Sequence, residues 1–309
     1  VIPPRAATLA GLTALALWST SVALMRGMSE HSGLLTGPAL SCLLGGALGV
    51  GLHVARGRSP REWLRLPWRY LWGCGALFVT TNVALYLAIG ACADRRHTLV
   101  IGLVNYLWPA LTVGLSVPLL GLRARPWLPL GLLAAVAGTA VALLGGEALT
   151  GTDASFWTTP RGLFALGAGL TAAVSWALYS NLARRWGDPE RGAVPPFALA
   201  TGLTLALLLL VHPETVTWTP RGVAEVVLLG VASLAVAYAL WDHGFRRGDP
   251  AVLGLASTFV PIASTCVSAL YLGVTPGAHV LAGGALVVGG AWASKRALSP
   301  AAPPPLSSR

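Results

Sequence analysis

Ten apolar windows follow one another along the chain, at 6–26, 33–53, 69–91, 98–121, 127–145, 162–184, 195–212, 222–245, 251–273 and 278–294. Each is close to the ~20 residues that a helix needs to cross a hydrocarbon core. A water-soluble fold has no place for so many segments that are apolar all round, so the solvent is lipid. Composition agrees: 10% of the residues are charged and the mean hydropathy is +0.69, against about 25% charged in soluble domains. In lipid every backbone polar group must be satisfied inside its own segment, which makes the spans helices. The sequence predicts an all-α polytopic membrane protein of ten transmembrane helices.

The first window follows Arg5 directly and no small-residue cleavage site closes it, so it is expected to be a retained span. The longest connections, near 54–68 and 146–161, leave no room for a soluble domain. With the amino terminus placed in the cytoplasm, only Arg26, Arg95, Arg96, Arg161 and Arg221 of the 21 Lys and Arg residues fall on the far side. Basic residues accumulate on the cytoplasmic side of membrane proteins, so both termini are expected there. The net charge of +10 is then a topology signal, and its spread over short loops argues against a nucleic-acid partner.

The chain is written twice. Gly11–Trp18 reads GLTALALW and Gly169–Trp176 reads GLTAAVSW. Further on, Tyr86 pairs with Tyr238, Gly102 with Gly254, Pro109 with Pro261, Gly121 with Gly273, Gly131 with Gly283 and Gly138 with Gly290, all at one constant offset. The offset of Trp18 and Trp176 differs and reads as a small insertion in the second half before its third span. Residues 1–150 are expected to form a first five-helix repeat and 151–298 a second. Because five is odd, equivalent helices run in opposite directions, which is the inverted repeat of many secondary transporters, with the site between the halves near the bilayer midplane. Residues 299–309, with a proline run, read as a disordered cytoplasmic tail.

Helical spacing nominates the residues of a central cavity. Asn82 and Tyr86 stand four apart on the third span, and Asn105, Pro109, Thr112 and Ser116 share a face of the fourth. The matching second-half faces carry Tyr238 with Trp241 or Asp242, and Ser257, Pro261, Ser264 and Ser268. An amide facing lipid is costly, so Asn82 and Asn105 should face protein or water. Trp18 is a candidate cavity wall, matched by Trp176. Pro109 and Pro261 break backbone hydrogen bonds inside helices and, with Gly102 and Gly254, are candidate hinge or gating positions. Polar and aromatic residues are richer around Asn82 to Trp108 than at the second-half counterparts, which predicts a one-sided site.

The remaining chemistry is sparse. Trp63, Trp68, Trp72, Trp127, Trp157, Trp186, Trp218 and Trp292 read as interfacial or loop residues. Cys42, Cys74, Cys92 and Cys266 have no metal-type spacing and read as small buried apolar side chains. Asp242 and His243 lie about one turn from Arg246 and read as interfacial. The absence of a central acid then points to facilitated or weakly coupled transport. A membrane-embedded enzyme is the alternative, without a Gly-x-Ser-x-Gly elbow or a His-Glu-x-x-His pair to support it.

Two five-span halves, the mid-span Pro109 and Pro261, and the Leu120–Gly121 and Leu272–Gly273 pairs resemble the drug/metabolite transporter superfamily and its EamA-like ten-helix family. Within it, the set Asn82, Tyr86, Asn105, Tyr106, Trp108, Pro109 and Trp176 resembles that of aromatic amino-acid exporters. The resemblance implies export of aromatic and other bulky amino acids across the bacterial inner membrane by alternating access. It implies no cofactor, no metal, no catalytic residue and no obligate protein partner, and the same fold also exports drugs and other small metabolites. Substrate contacts are then expected from Asn82, Tyr86, Asn105, Tyr106, Trp108, Trp176, Tyr179, Tyr238 and Ser257. Many relatives carry a glutamate after the glycine that ends the fourth and ninth spans. Here Leu122 and Val274 stand there, so no role of that acid carries over.

Overall fold

The computed structural model describes residues 4–150, 154–188 and 191–299. The expected junction between the halves, at 151, and the tail beyond Ser299 lie outside them. In the first half, α1 (Pro4–Ser19) and α2 (Ser21–His31) form one rod with a turn at Thr20, followed by α3 (Thr36–Ala55). A π-helical turn at Arg69–Cys74 leads into α4 (Gly75–Ala91). The fourth span is broken into α5 (Arg95–Asn105) and α6 (Trp108–Leu120), and α7 (Leu128–Thr150) closes the half.

The second half repeats the plan. α8 (Pro160–Trp186) and α9 (Val194–Val211) precede α10 (Pro220–Leu228), which passes through a π-helical stretch at Leu229–Val236 into α11 (Ala237–Arg247). The next span is again broken, into α12 (Pro250–Ser257) and α13 (Val260–Leu272), before α14 (Ala278–Ala297).

Local sequence explains where these helices start and stop. Thr159 and Thr219 each precede a proline and accept a hydrogen bond from the backbone N–H of Gly162 and Gly222, so the cap satisfies an orphan donor while proline occupies the position that needs none. Gly121 and Gly273 end α6 and α13 with φ of 67° and 66°. Each Leu-Gly pair is therefore a left-handed helix stop, a conformation that a side chain would strain.

Among the described residues, seven helical segments are long and apolar enough to cross a membrane. Of the other three expected spans, Leu128–Leu144 and Val260–Leu272 are shorter apolar helices, and α14 carries His279, Lys295 and Arg296. Exposed Leu130, Leu133, Leu207, Leu210 and Leu270 cover the outside. Many hydroxyls within spans bond to their own helix, as Ser19 does to the Leu15 carbonyl and Thr201 to that of Phe197, which satisfies those donors without water.

Close glycine contacts show how the halves are related. Gly131 lies against Gly290, and Gly138 against Gly283, so α7 and α14 are antiparallel. Likewise Gly46 meets Leu199 and Gly49 meets Pro195, making α3 and α9 antiparallel. α1 packs on α11 as α8 packs on α4, and α1 on α13 as α8 on α6. Equivalent helices thus run in opposite directions and exchange partners, as an odd number of spans per repeat requires. The change of offset runs the other way from the expected insertion: the second connection is 56–68 in the first half and only 212–219 in the second.

Candidate functional site

A cavity of about 660 Å³ opens between the halves, within the range of about 300–1,000 Å³ typical of small-molecule sites. Two aromatic walls face it. On one, Trp18 of α1 meets Tyr238 edge-on, with ring centroids 5.0 Å apart at 67°, and lies 5.5 Å from Trp241. Its Nε1 donates to the Ser233 carbonyl, 3.1 Å away, inside the π-helical stretch. On the other, Trp176 of α8 lies 5.1 Å from Tyr179 and 6.2 Å from Trp108. Phe78 is fully buried behind both, 5.7 Å from Tyr179 and 6.1 Å from Tyr238. Offset and edge-on pairs of this kind add about 0.5–1.5 kcal/mol each, so the rings hold one another in place.

Polar groups converge on the same space. Asn82 anchors its amide by donating to the Phe78 carbonyl at 2.8 Å, and Ser257 donates to the Gly254 carbonyl at 2.9 Å. Asn105 and Ser257 are the last residues of α5 and α12, each just before a break, at Tyr106–Leu107 and at Thr258–Phe259. Pro109 and Pro261 begin the helices beyond. Lacking N–H groups, they leave the Asn105 and Ser257 carbonyls without the donor that a continuous helix would supply. Broken helices that present backbone groups at depth are tolerated where they line a cavity.

The cavity opens beside the loops 56–65 and 191–195, where Arg56, Arg58, Glu62 and Arg191 line it. Trp63, only 8% exposed, stacks on His53 at 4.3 Å and donates from Nε1 to the Gly192 carbonyl at 3.2 Å. Tyr70 Oη accepts from the Ala193 N–H at 3.0 Å. The two halves are thus tied at the mouth.

The opposite end is closed by charge. Glu30 pairs with Arg26 and Arg95, both at 2.7 Å, and Arg95 also donates to the Leu272 carbonyl. Glu225, 1% exposed, pairs with His31 at 2.9 Å and Arg221 at 3.2 Å and accepts from Tyr271 Oη at 2.6 Å. Glu214 accepts from the backbone N–H groups of Leu35 and Thr36, placing an anion at the positive end of α3. Arg161 donates to the Ala91 carbonyl at 2.8 Å.

Of the residues nominated from sequence, Trp18, Asn82, Asn105, Tyr106, Trp108, Trp176, Tyr179, Tyr238 and Ser257 line the cavity together. Tyr86 does not. The cavity face of α4 runs through Thr81, Asn82 and Leu85, and the next residue turns toward α3, where Tyr86 is buried with its Oη 3.6 Å from Cys42 Sγ. Gly102 faces Val22, and Gly254 faces Lys295 on α14. The lining is two-sided, because the second half supplies Trp176, Tyr179, Tyr238, Trp241, Asp242 and Ser257.

Asp242 lines the cavity one turn before the basic end of α11, and Glu225 is a buried carboxylate near the start of its span. Trp63 and Trp157 lie in connections, as expected, but are buried, whereas Trp68, Trp72, Trp127, Trp218 and Trp292 are exposed. One further expectation is corrected: Cys266 is exposed, while the other three cysteines are buried. Tyr70 and Phe78 carried no sequence signal of their role, since both come forward only through partners on α8 and α9.

The profile of the EamA-like transporter family matches residues 163–294, most of the second half. The chain is 32% identical to the aromatic amino acid exporter YddG of Salmonella typhimurium, over 86% of this chain and 88% of that one. It is 31% identical to the protein of the same name from Escherichia coli, over 94% and 98%. Identity to that from Ancylobacter novellus is 36%, over 92% and 95%. A solved crystal structure with 30% identity superposes with a TM-score of 0.66, covering 94% of this chain and 97% of that one.

Proposed function

Since the chain belongs to the EamA-like transporter family, we propose that it exports aromatic and other bulky hydrophobic amino acids by alternating access. The observation that carries this reading is the aromatic-walled cavity between two inverted halves, open at one end and closed by ion pairs at the other. An aromatic side chain stacks on Trp176, Trp108 or Trp18, each such pair contributing about 0.5–1.5 kcal/mol. Asn82, Asn105, Tyr106 and Ser257 supply neutral hydrogen-bonding groups for the polar end of the ligand. Contacts that are plural and individually weak suit a carrier that must also release.

In this reading residues 1–150 and 151–298 are the two moving halves. The positive-inside count puts the termini, and the mouth at 56–65, in the cytoplasm of a bacterium, with the protein in its inner membrane. The breaks before Pro109 and Pro261, with Gly102 and Gly254 one turn earlier, are the hinge points, and the Glu30–Arg95 and His31–Glu225 contacts are the outer closure.

Purified protein in liposomes should carry labelled phenylalanine and tryptophan saturably. Trp176→Ala should lower kcat/KM at least about ten-fold, the equivalent of 1.4 kcal/mol. Saturable flux unchanged in that variant would remove the aromatic wall from the site, and no flux in the native protein would remove the function.

A further inference from the structure

Asp242 has no part in the reading above, yet its side chain is exposed to the cavity. It lies on α11 one helical turn beyond Tyr238, on the face that carries the aromatic wall. Trp18, Tyr238 and Trp241 stand beside it as a connected set of rings. The other lining carboxylate among the described residues, Glu62, sits at the rim and accepts from the Ser59 backbone N–H at 3.2 Å in a helix cap. The cations of the lining, Arg56, Arg58 and Arg191, are on the mouth loops. Among the described lining residues, Asp242 is thus the carboxylate that stands next to the aromatic rings.

A carboxylate carries about four acceptor sites, so Asp242 can hold a ligand donor beside any protein partner. Ring faces next to it add attraction for the same cation. An acid on a membrane helix is kept against an insertion cost, and here it faces the transport cavity instead of lipid.

We propose that Asp242 is the specificity-determining residue of the cavity, its carboxylate accepting the α-ammonium group of an aromatic amino acid whose ring rests on Trp18, Tyr238 and Trp241. The inference rests on the amino-acid reading of the site and names which end of the zwitterion is selected. Aromatic acids that lack the ammonium group are then excluded by charge and not by size, and N-acylated amino acids are excluded with them. Free aromatic amines fit Asp242 but meet Arg56, Arg58 and Arg191 on entry, so they associate more slowly than the zwitterion.

Calorimetric binding to the purified protein in detergent separates the alternatives, with phenylalanine, phenethylamine, 3-phenylpropionate and N-acetylphenylalanine as ligands. The native protein should prefer phenylalanine to 3-phenylpropionate by about ten-fold or more, and Asp242→Asn should abolish that preference by weakening phenylalanine and phenethylamine about ten-fold, the scale of one charge-assisted hydrogen bond. Binding of 3-phenylpropionate should stay unchanged in the variant, which also shows that it is folded, and Asp242→Glu should restore part of the preference. Equal weakening of all ligands, no weakening, a native protein that does not distinguish ammonium from its absence, or one that binds none of the four would each overturn the proposal. Phenylalanine flux in liposomes is scored separately. Flux without ammonium selection removes the role of Asp242 alone, whereas selection without flux removes export.

Discussion

At the scale of single residues, the strongest commitment in the fold is Glu225. A carboxylate at 1% exposure is tolerated because His31, Arg221 and Tyr271 all turn polar atoms toward it. Sequence displays only part of this, since Arg221 and Glu225 stand four apart on one helix, a spacing that brings side chains together. His31 comes from the first half and Tyr271 from another span, so neither contact is visible along the chain. Glu225→Gln keeps the shape and removes the charge. It should lower thermal stability in detergent by about 1–3 kcal/mol, the range for a hydrogen-bonded charged group, toward the lower end because His31 and Arg221 are partly in water. An unchanged melting temperature would show that the ion pairs contribute nothing to stability. Tyr86 marks the opposite limit: its spacing from Asn82 is right for a shared face, but a 40° difference in direction carries it out of the cavity and onto Cys42.

At the scale of elements, the α7–α14 contact is the closest approach of equivalent helices. A Cβ on Gly138 would stand 2.5 Å from the Gly283 carbonyl oxygen, whereas one on Gly289 meets nothing within 4 Å. Gly138→Val should therefore destabilise by about 1–3 kcal/mol, the usual cost of overpacking, while Gly289→Ala on the neighbouring helix should be neutral or slightly stabilising. Thermal melting and monodispersity in detergent read both, and equal behaviour of the two variants would sink the packing argument. Small residues permit such close approach. That Gly131 meets Gly290, and Gly138 meets Gly283, was not legible in the sequence, because crossed pairing depends on the direction of the partner helix. The prolines were legible as breaks in the fourth span of each half. Their consequence, that Asn105 and Ser257 lose their i+4 backbone donors beside the cavity, needed the helices on both sides.

At the scale of the whole molecule, orientation in the membrane is the open variable, and the basic residues of the loops set its expected sign. In a Cys266→Ser background, which removes the exposed native thiol, a membrane-impermeant maleimide should label Ser59→Cys only in inside-out vesicles. Thr217→Cys, on the opposite side, should be labelled only in intact spheroplasts. The reverse pattern would place the mouth outside and make the structure an outward-open one.

Lipid as solvent, helices as the only spanning element, five spans twice over and hence inversion all follow from the sequence by itself, because each depends on local hydrophobicity or on counting. Membership of the cavity was read well for Trp18, Asn82, Asn105, Trp176 and Tyr238, where a polar or aromatic side chain on an apolar span has few other places to go. The tertiary structure alone decided that Asp242 faces the cavity and Trp63 its mouth, and that Glu225 closes the far end. Each of those outcomes is set by what a helix from the other half presents at contact distance, and no periodicity along one segment encodes its neighbour.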